Sequence, residues 1–73
     1  MDELLVKMAE EGSELAFAAL KFRKNPSPAN KQKLRDEIAD VLAVIQASEL
    51  GHNKSRIQDK TSKYSKLKGK KHG

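Results

Sequence analysis

The chain has 73 residues, no cysteine, 34% charged residues and a formal net charge of +5. A chain this short makes one domain with a marginal core, which leaves oligomerisation as the available staple. Without thiols there are no disulfides, thiolate metal sites or cysteine nucleophiles, and no apolar run reaches the roughly 18 residues that span a bilayer.

The acidic start, Met1-Asp2-Glu3, is unlike the basic opening of a secretory signal, so a cytoplasmic location with no membrane partner is expected. The charge is unevenly spread. Residues 1–50 hold seven Lys/Arg and nine Asp/Glu, whereas 51–73 hold eight Lys/Arg and one Asp. Such a tail favours an anionic partner, whether nucleotide phosphates, nucleic acid or a membrane surface. The competing reading is a solvated, frayed terminus.

From Asp2 to about Lys24 there is no proline and one glycine, and Leu5, Met8, Leu15, Ala19 and Phe22 step by three, four or seven. That spacing predicts an amphipathic helix. Asn25-Pro26-Ser27-Pro28 ends it, with Ser27 as N-cap and Pro28 in the first turn of a second helix. This helix runs to about Leu50, with Leu34, Ile38, Val41, Leu42 and Ile45 as its main stripe, Val44 beside it and Gly51 as its stop. His52-Asn53 forms a turn. Ile57, Tyr64 and Leu67 suggest a weaker third helix that frays after Lys68, leaving a basic tail at about 69–73. The fold expected is all-α: one domain over 1–73, a helical hairpin plus a short basic C-terminal helix. The second helix is apolar over a wider sector than one small partner covers, so two hairpins are expected to dimerise into a four-helix bundle, giving a homodimer or homotetramer.

Two acidic pairs stand out. At 100° per residue, Glu37 projects about 20° from Val44 and about 40° from Val41, inside the apolar sector. Glu11 lies about 20° from Leu4 and Phe22, at the edge of its stripe. Each has an acidic neighbour one turn on, Glu14 and Asp40, on the same face. Desolvating a carboxylate costs several kcal/mol unless it is paired or metal-bound. Either a lysine or a cation must therefore reach these groups. Two pairs facing each other across a hairpin make an oxygen-only cage that suits Mg²⁺, with Mn²⁺ as a substitute. A di-iron bundle wants Glu-x-x-His, and neither His52 nor His72 has that spacing. On solvated helices acidic pairs are also common without any ligand.

Lys7-Met-Ala-Glu-Glu-Gly-Ser-Glu14-Leu15, followed by Lys33-Leu-Arg-Asp-Glu37-Ile-Ala-Asp40-Val-Leu42, resembles the all-α nucleoside triphosphate pyrophosphohydrolases of the MazG type, whose signature is Glu-x-x-Glu, a spacer, then Glu-x-x-Asp. The likeness spans about Leu5 to Leu50. It implies a reaction, cleavage of a nucleoside triphosphate between its α and β phosphates, giving a monophosphate and pyrophosphate. It also implies roles: Glu11, Glu14, Glu37 and Asp40 as Mg²⁺ ligands, Glu10, Glu11 and Glu37 as catalytic groups, and Glu10 as a group that orients or deprotonates water. Lys33 matches a phosphate-binding position, and Lys60, Lys63 and Lys66 (or Lys68) correspond to a lysine and aromatic pattern in the third helix, all suited to phosphate as point charges. For Glu10 and each lysine, a solvated surface role is the competing reading. Many relatives carry an extra helix ahead of the Glu-x-x-Glu helix, which this sequence lacks, so base and sugar contacts are expected from a neighbouring subunit or the tail.

Phosphoribosyl-ATP pyrophosphohydrolase, a relative, is the alternative activity. A non-catalytic helical module whose tail, Lys54 to Lys71, binds nucleic acid is the alternative from another class. It is the less favoured one, because Tyr64 is the tail's one aromatic and single-strand binders rely on stacking platforms. A small antitoxin-like or adaptor dimer would use the same apolar stripes but leaves the intruding carboxylates unexplained.

Overall fold

The computed structural model describes residues 1–69, and their regular structure is entirely helical. Three helices follow in order, α1 (Asp2–Lys24), α2 (Pro28–Ser48) and α3 (Lys54–Ser65), the last running into a 3-10 turn at Lys66–Gly69. The frayed tail expected from residue 69 falls, after Gly69, outside the described residues, as do Lys70, Lys71 and His72.

The ends of the helices have local causes. Ser27 sits in extended backbone and its hydroxyl accepts from the Asn30 amide at 3.1 Å, with proline in the first turn of α2. The stop of α2 comes earlier than Leu50. Glu49 takes the left-handed conformation at φ 58°, its N–H donating to the Gln46 carbonyl, and Gly51 at φ 74° follows it. Buried Ser48 closes the same end, its hydroxyl donating to the Ile45 carbonyl at 2.7 Å and accepting from the Leu50 amide at 3.3 Å. Asn53, expected only as a turn residue, is the N-cap of α3, accepting from the Arg56 amide at 3.0 Å.

α1 and α2 pack on each other as a hairpin, while α3 packs against neither and touches the 3-10 turn. The residues withdrawn from solvent define the seam. On α1 they are Leu4, Met8, Glu11, Leu15, Ala18 and Phe22; on α2 they are Asn30, Leu34, Glu37, Val41, Val44 and Ser48, with Ile45 alongside. Each set alternates steps of four and three, the spacing of helices packed knobs-into-holes. This corrects the stripes read from apolar spacing. Leu5 and Ala19 face solvent, and so do Ile38 and Leu42. On α2, Asn30, Glu37 and Ser48 occupy seam positions, which displaced the apparent apolar centre sideways by about one residue.

The hairpin is one layer thick. With α3 included, the principal extents are 43 × 30 × 14 Å. Among the described residues Ala18 is the only buried apolar one, and 6415 Å² of surface is exposed. A compact monomer of 8.1 kDa would expose about 4,500 Å². Phe17, Leu20, Ile38 and Leu42 are among the large apolar side chains left in solvent.

Candidate metal centre

The hairpin brings three carboxylates together. Glu11 is half-buried on α1, Glu37 is 3% exposed on α2, and Asp40 lies one turn further along α2 at the exposed rim. One carboxylate oxygen from each lies within 4.8 Å of the other two. Glu11 and Glu37 are there because they occupy seam positions, where the backbone alone decides that a side chain is covered. A leucine in either place would have continued the core.

The electrostatics of this cluster are incomplete. Glu37 Oε1 accepts from Lys33 Nζ at 2.9 Å, one turn back along α2. Glu37 Oε2 and Glu11 Oε2 are buried with no hydrogen-bond partner among the described residues. Buried carboxylate oxygens are ordinarily paired, and leaving one unsatisfied costs more than a neutral orphan. Burial pushes the Glu11 carboxyl above its ordinary range, and the negative charges of Glu14, Asp40 and Glu37 push it the same way. Lys33 is raised too, which for a cation favours the charged form: its hydrogen bond and attraction to Glu37 hold the ammonium above the usual lysine value. That single lysine, two-thirds exposed, faces several carboxylates. A hard divalent ion, which prefers carboxylate oxygens and accepts several at once, fits this donor set better than a second lysine would.

The other residues singled out from the sequence fall into three positions. Glu14 is exposed on α1 next to Glu11, but outside the group of three whose oxygens converge. Glu10 is exposed and bonded to Lys7 at 2.9 Å, an i, i+3 surface pair that holds it outside the cluster. Lys60, Lys63 and Lys66 are not brought to the carboxylates within this chain, because α3 packs against neither hairpin helix. Lys60 Nζ lies 5.8 Å from the centroid of the Tyr64 ring, so the one aromatic of the described tail already has a cation over it.

Beside the cluster, towards the hairpin turn, is a cleft of about 350 Å³ that reasoning from the sequence missed. Glu14, Glu37 and Lys33 form one end of it, and Ser13, Phe17 and Lys21 line the rest.

No protein-family model matches this chain, and no curated protein and no solved structure matches it either.

Proposed function

We propose that this chain is a Mg²⁺-dependent nucleotide pyrophosphohydrolase that works as a symmetric oligomer. The observation that carries this reading is the pair of buried, unpartnered carboxylate oxygens on Glu11 and Glu37, converging with Asp40 from two helices. The likeness of Glu11-x-x-Glu14 and Glu37-x-x-Asp40 to MazG-type enzymes supplies the reaction.

Glu11, Glu37 and Asp40 would hold the ion, with Glu14 completing the set from the exposed side. Bound there, Mg²⁺ would neutralise charge on the phosphates and lower the pKa of a water molecule. The chain's own part is positional. Seam packing fixes Glu11 and Glu37 before any substrate arrives, so the carboxylates need no reorganisation on binding. Lys33, bonded to Glu37 yet largely exposed, offers a positive charge at the edge of the site to an incoming phosphate. In the reaction the oxygen of one water bonds to a phosphorus of the α–β anhydride, the bond from that phosphorus to the bridging oxygen breaks, and the water's protons pass to the products or solvent, leaving a monophosphate and pyrophosphate.

Incubating the protein with nucleoside triphosphates and with phosphoribosyl-ATP, then following products by phosphorus NMR, tests this. Monophosphate and pyrophosphate that form with Mg²⁺ and not with EDTA support the proposal; diphosphate and phosphate, or no turnover of any of them, contradict it.

Oligomerisation follows from the thin hairpin. Ile38 and Leu42, exposed on α2, leave an apolar surface that a second copy would cover, converting one layer into two. Sedimentation at micromolar concentration is expected to give a dimer or tetramer. A folded monomer there would refute the oligomeric half of the proposal.

A further inference from the structure

The acidic cluster opens into ground of a different character. One cleft holds Glu14 and Glu37, a lysine from each helix, Lys21 on α1 and Lys33 on α2, and the ring of Phe17, which lies between Glu14 and Lys21 along α1. Phe17 is 70% exposed and lies outside the seam. A second, wider groove of about 660 Å³ shares Phe17 and Lys21 and continues along Leu20 and Lys24 to the amides of Asn25 and Asn30. Asn30 spends its amide nitrogen on the Asn25 carbonyl at 2.8 Å.

This set of groups suits one kind of ligand. A cation site, two positive charges and an exposed aromatic face brought together in one cleft are the chemistry that a polyphosphate joined to a flat heterocycle calls for. Glu37, almost wholly buried and with one oxygen unpartnered, lines the cleft itself, so the cluster and the cleft are one site. An ordinary apolar dimer face would not need lysines from both helices at its margin. The volume of each groove is in the range of small-molecule pockets.

We infer that this cleft is the nucleotide subsite: Lys21 and Lys33 take the phosphate chain, and Phe17 is the platform on which the base stacks. The inference rests on the pyrophosphohydrolase reading and adds to it the residues that grip the nucleoside. It also supplies base contacts from α1 itself, without an additional helix. Stacking on a ring is tolerant of base identity, because every base has a π-face. Phe17 thus favours nucleotides over bare polyphosphate more than it favours one base over another.

The probes are inorganic tripolyphosphate and the α,β-methylene analogues of ATP and UTP, each titrated with Mg²⁺ into the full chain by calorimetry. Phe17→Ala is expected to weaken both analogues about tenfold and to leave tripolyphosphate unchanged. Phe17→Trp should restore the analogues, and Lys21→Ala should weaken all three probes. Both positions are exposed, so the variants are expected to fold, which circular dichroism checks. If Phe17→Ala changes neither class of probe, or weakens tripolyphosphate as much as the analogues, the assignment is wrong. Dissociation of the oligomer by Phe17→Ala at unchanged affinity would also overturn it, giving the face to a second copy. Mn²⁺ binding to the protein alone separates the two layers of the argument. Mn²⁺ bound without any analogue bound sinks the subsite and leaves the metal centre standing. No Mn²⁺ bound sinks the metal centre first, and the subsite with it.

Discussion

Replacing Glu37 by glutamine is expected to lower pyrophosphate release by roughly a thousandfold or more, while the metal-free variant melts no lower than the parent. The two halves of that result come from one cause. Glutamine has nearly the shape of glutamate, keeps a carbonyl for Lys33 Nζ, and fills the same seam position. It removes a negative charge that the seam has no other use for. A buried ionised carboxylate is costly for the fold, and replacing buried charged groups by neutral ones of similar volume is often neutral or stabilising. A residue retained purely for structure would show the reverse, with stability falling and activity following it down. Steady-state rates and thermal melts on the same preparations distinguish the cases. A variant that loses stability, with turnover falling only as far as the folded fraction falls, would show that Glu37 is structural.

Adding Mg²⁺ to the metal-free protein is expected to raise its melting temperature, and Glu37→Gln is expected to abolish the response. Binding to the native state alone contributes about 2.7 kcal/mol at a free ion concentration of 100 times Kd. For a domain of this size that is on the order of 10–20 °C. The effect has a pH signature. Glu11 is held above its ordinary range by burial first and by its acidic neighbours second. Folding therefore favours its protonated form. Without a divalent ion, the stability linked to Glu11 is full below the ordinary carboxylate range and is lost as pH rises through the raised value. The ion favours the ionised carboxylates and competes with protons, so its stabilising effect grows as pH rises over the same interval. Melts from pH 4 to 8, with Mg²⁺ and with EDTA, should diverge towards the alkaline end. Parallel curves would mean that no cation reaches Glu11.

Much of the fold was legible because its punctuation is local. Asn25-Pro26-Ser27-Pro28 can only break a helix and start another, and both hairpin helices run almost as read. The seam was harder to read. Leu5 and Leu4, or Ala19 and Ala18, are equally apolar neighbours, and only the approach of α2 decides which is covered. The α2 stripe was misplaced for a sharper reason. Glu37, Asn30 and Ser48 occupy seam positions and Ile38 and Leu42 do not, so apolar spacing pointed to the flank.

That same conflict is what made the site readable. Glu37 was conspicuous in the sequence as a carboxylate among valines, and it is the most buried member of the cluster. Glu14 and Asp40 were placed by their spacing, and of these two Asp40 joins the converging group. Phe17 and Lys21 were not legible, because an exposed phenylalanine and a lysine on a solvated face carry no signal until the opposing helix turns them into the wall of a cleft.

The claim on which everything else depends is that Glu11, Glu37 and Asp40 together bind a hard divalent cation. Titrating Mn²⁺ into the metal-free protein and following free Mn²⁺ by electron paramagnetic resonance measures this without reference to any substrate. At least one saturable site per chain, displaced by Mg²⁺ and lost in Glu37→Gln, is the result the structure leads us to expect. A Glu37→Gln variant that takes up Mn²⁺ as the parent does, or a parent that takes up none, would contradict it.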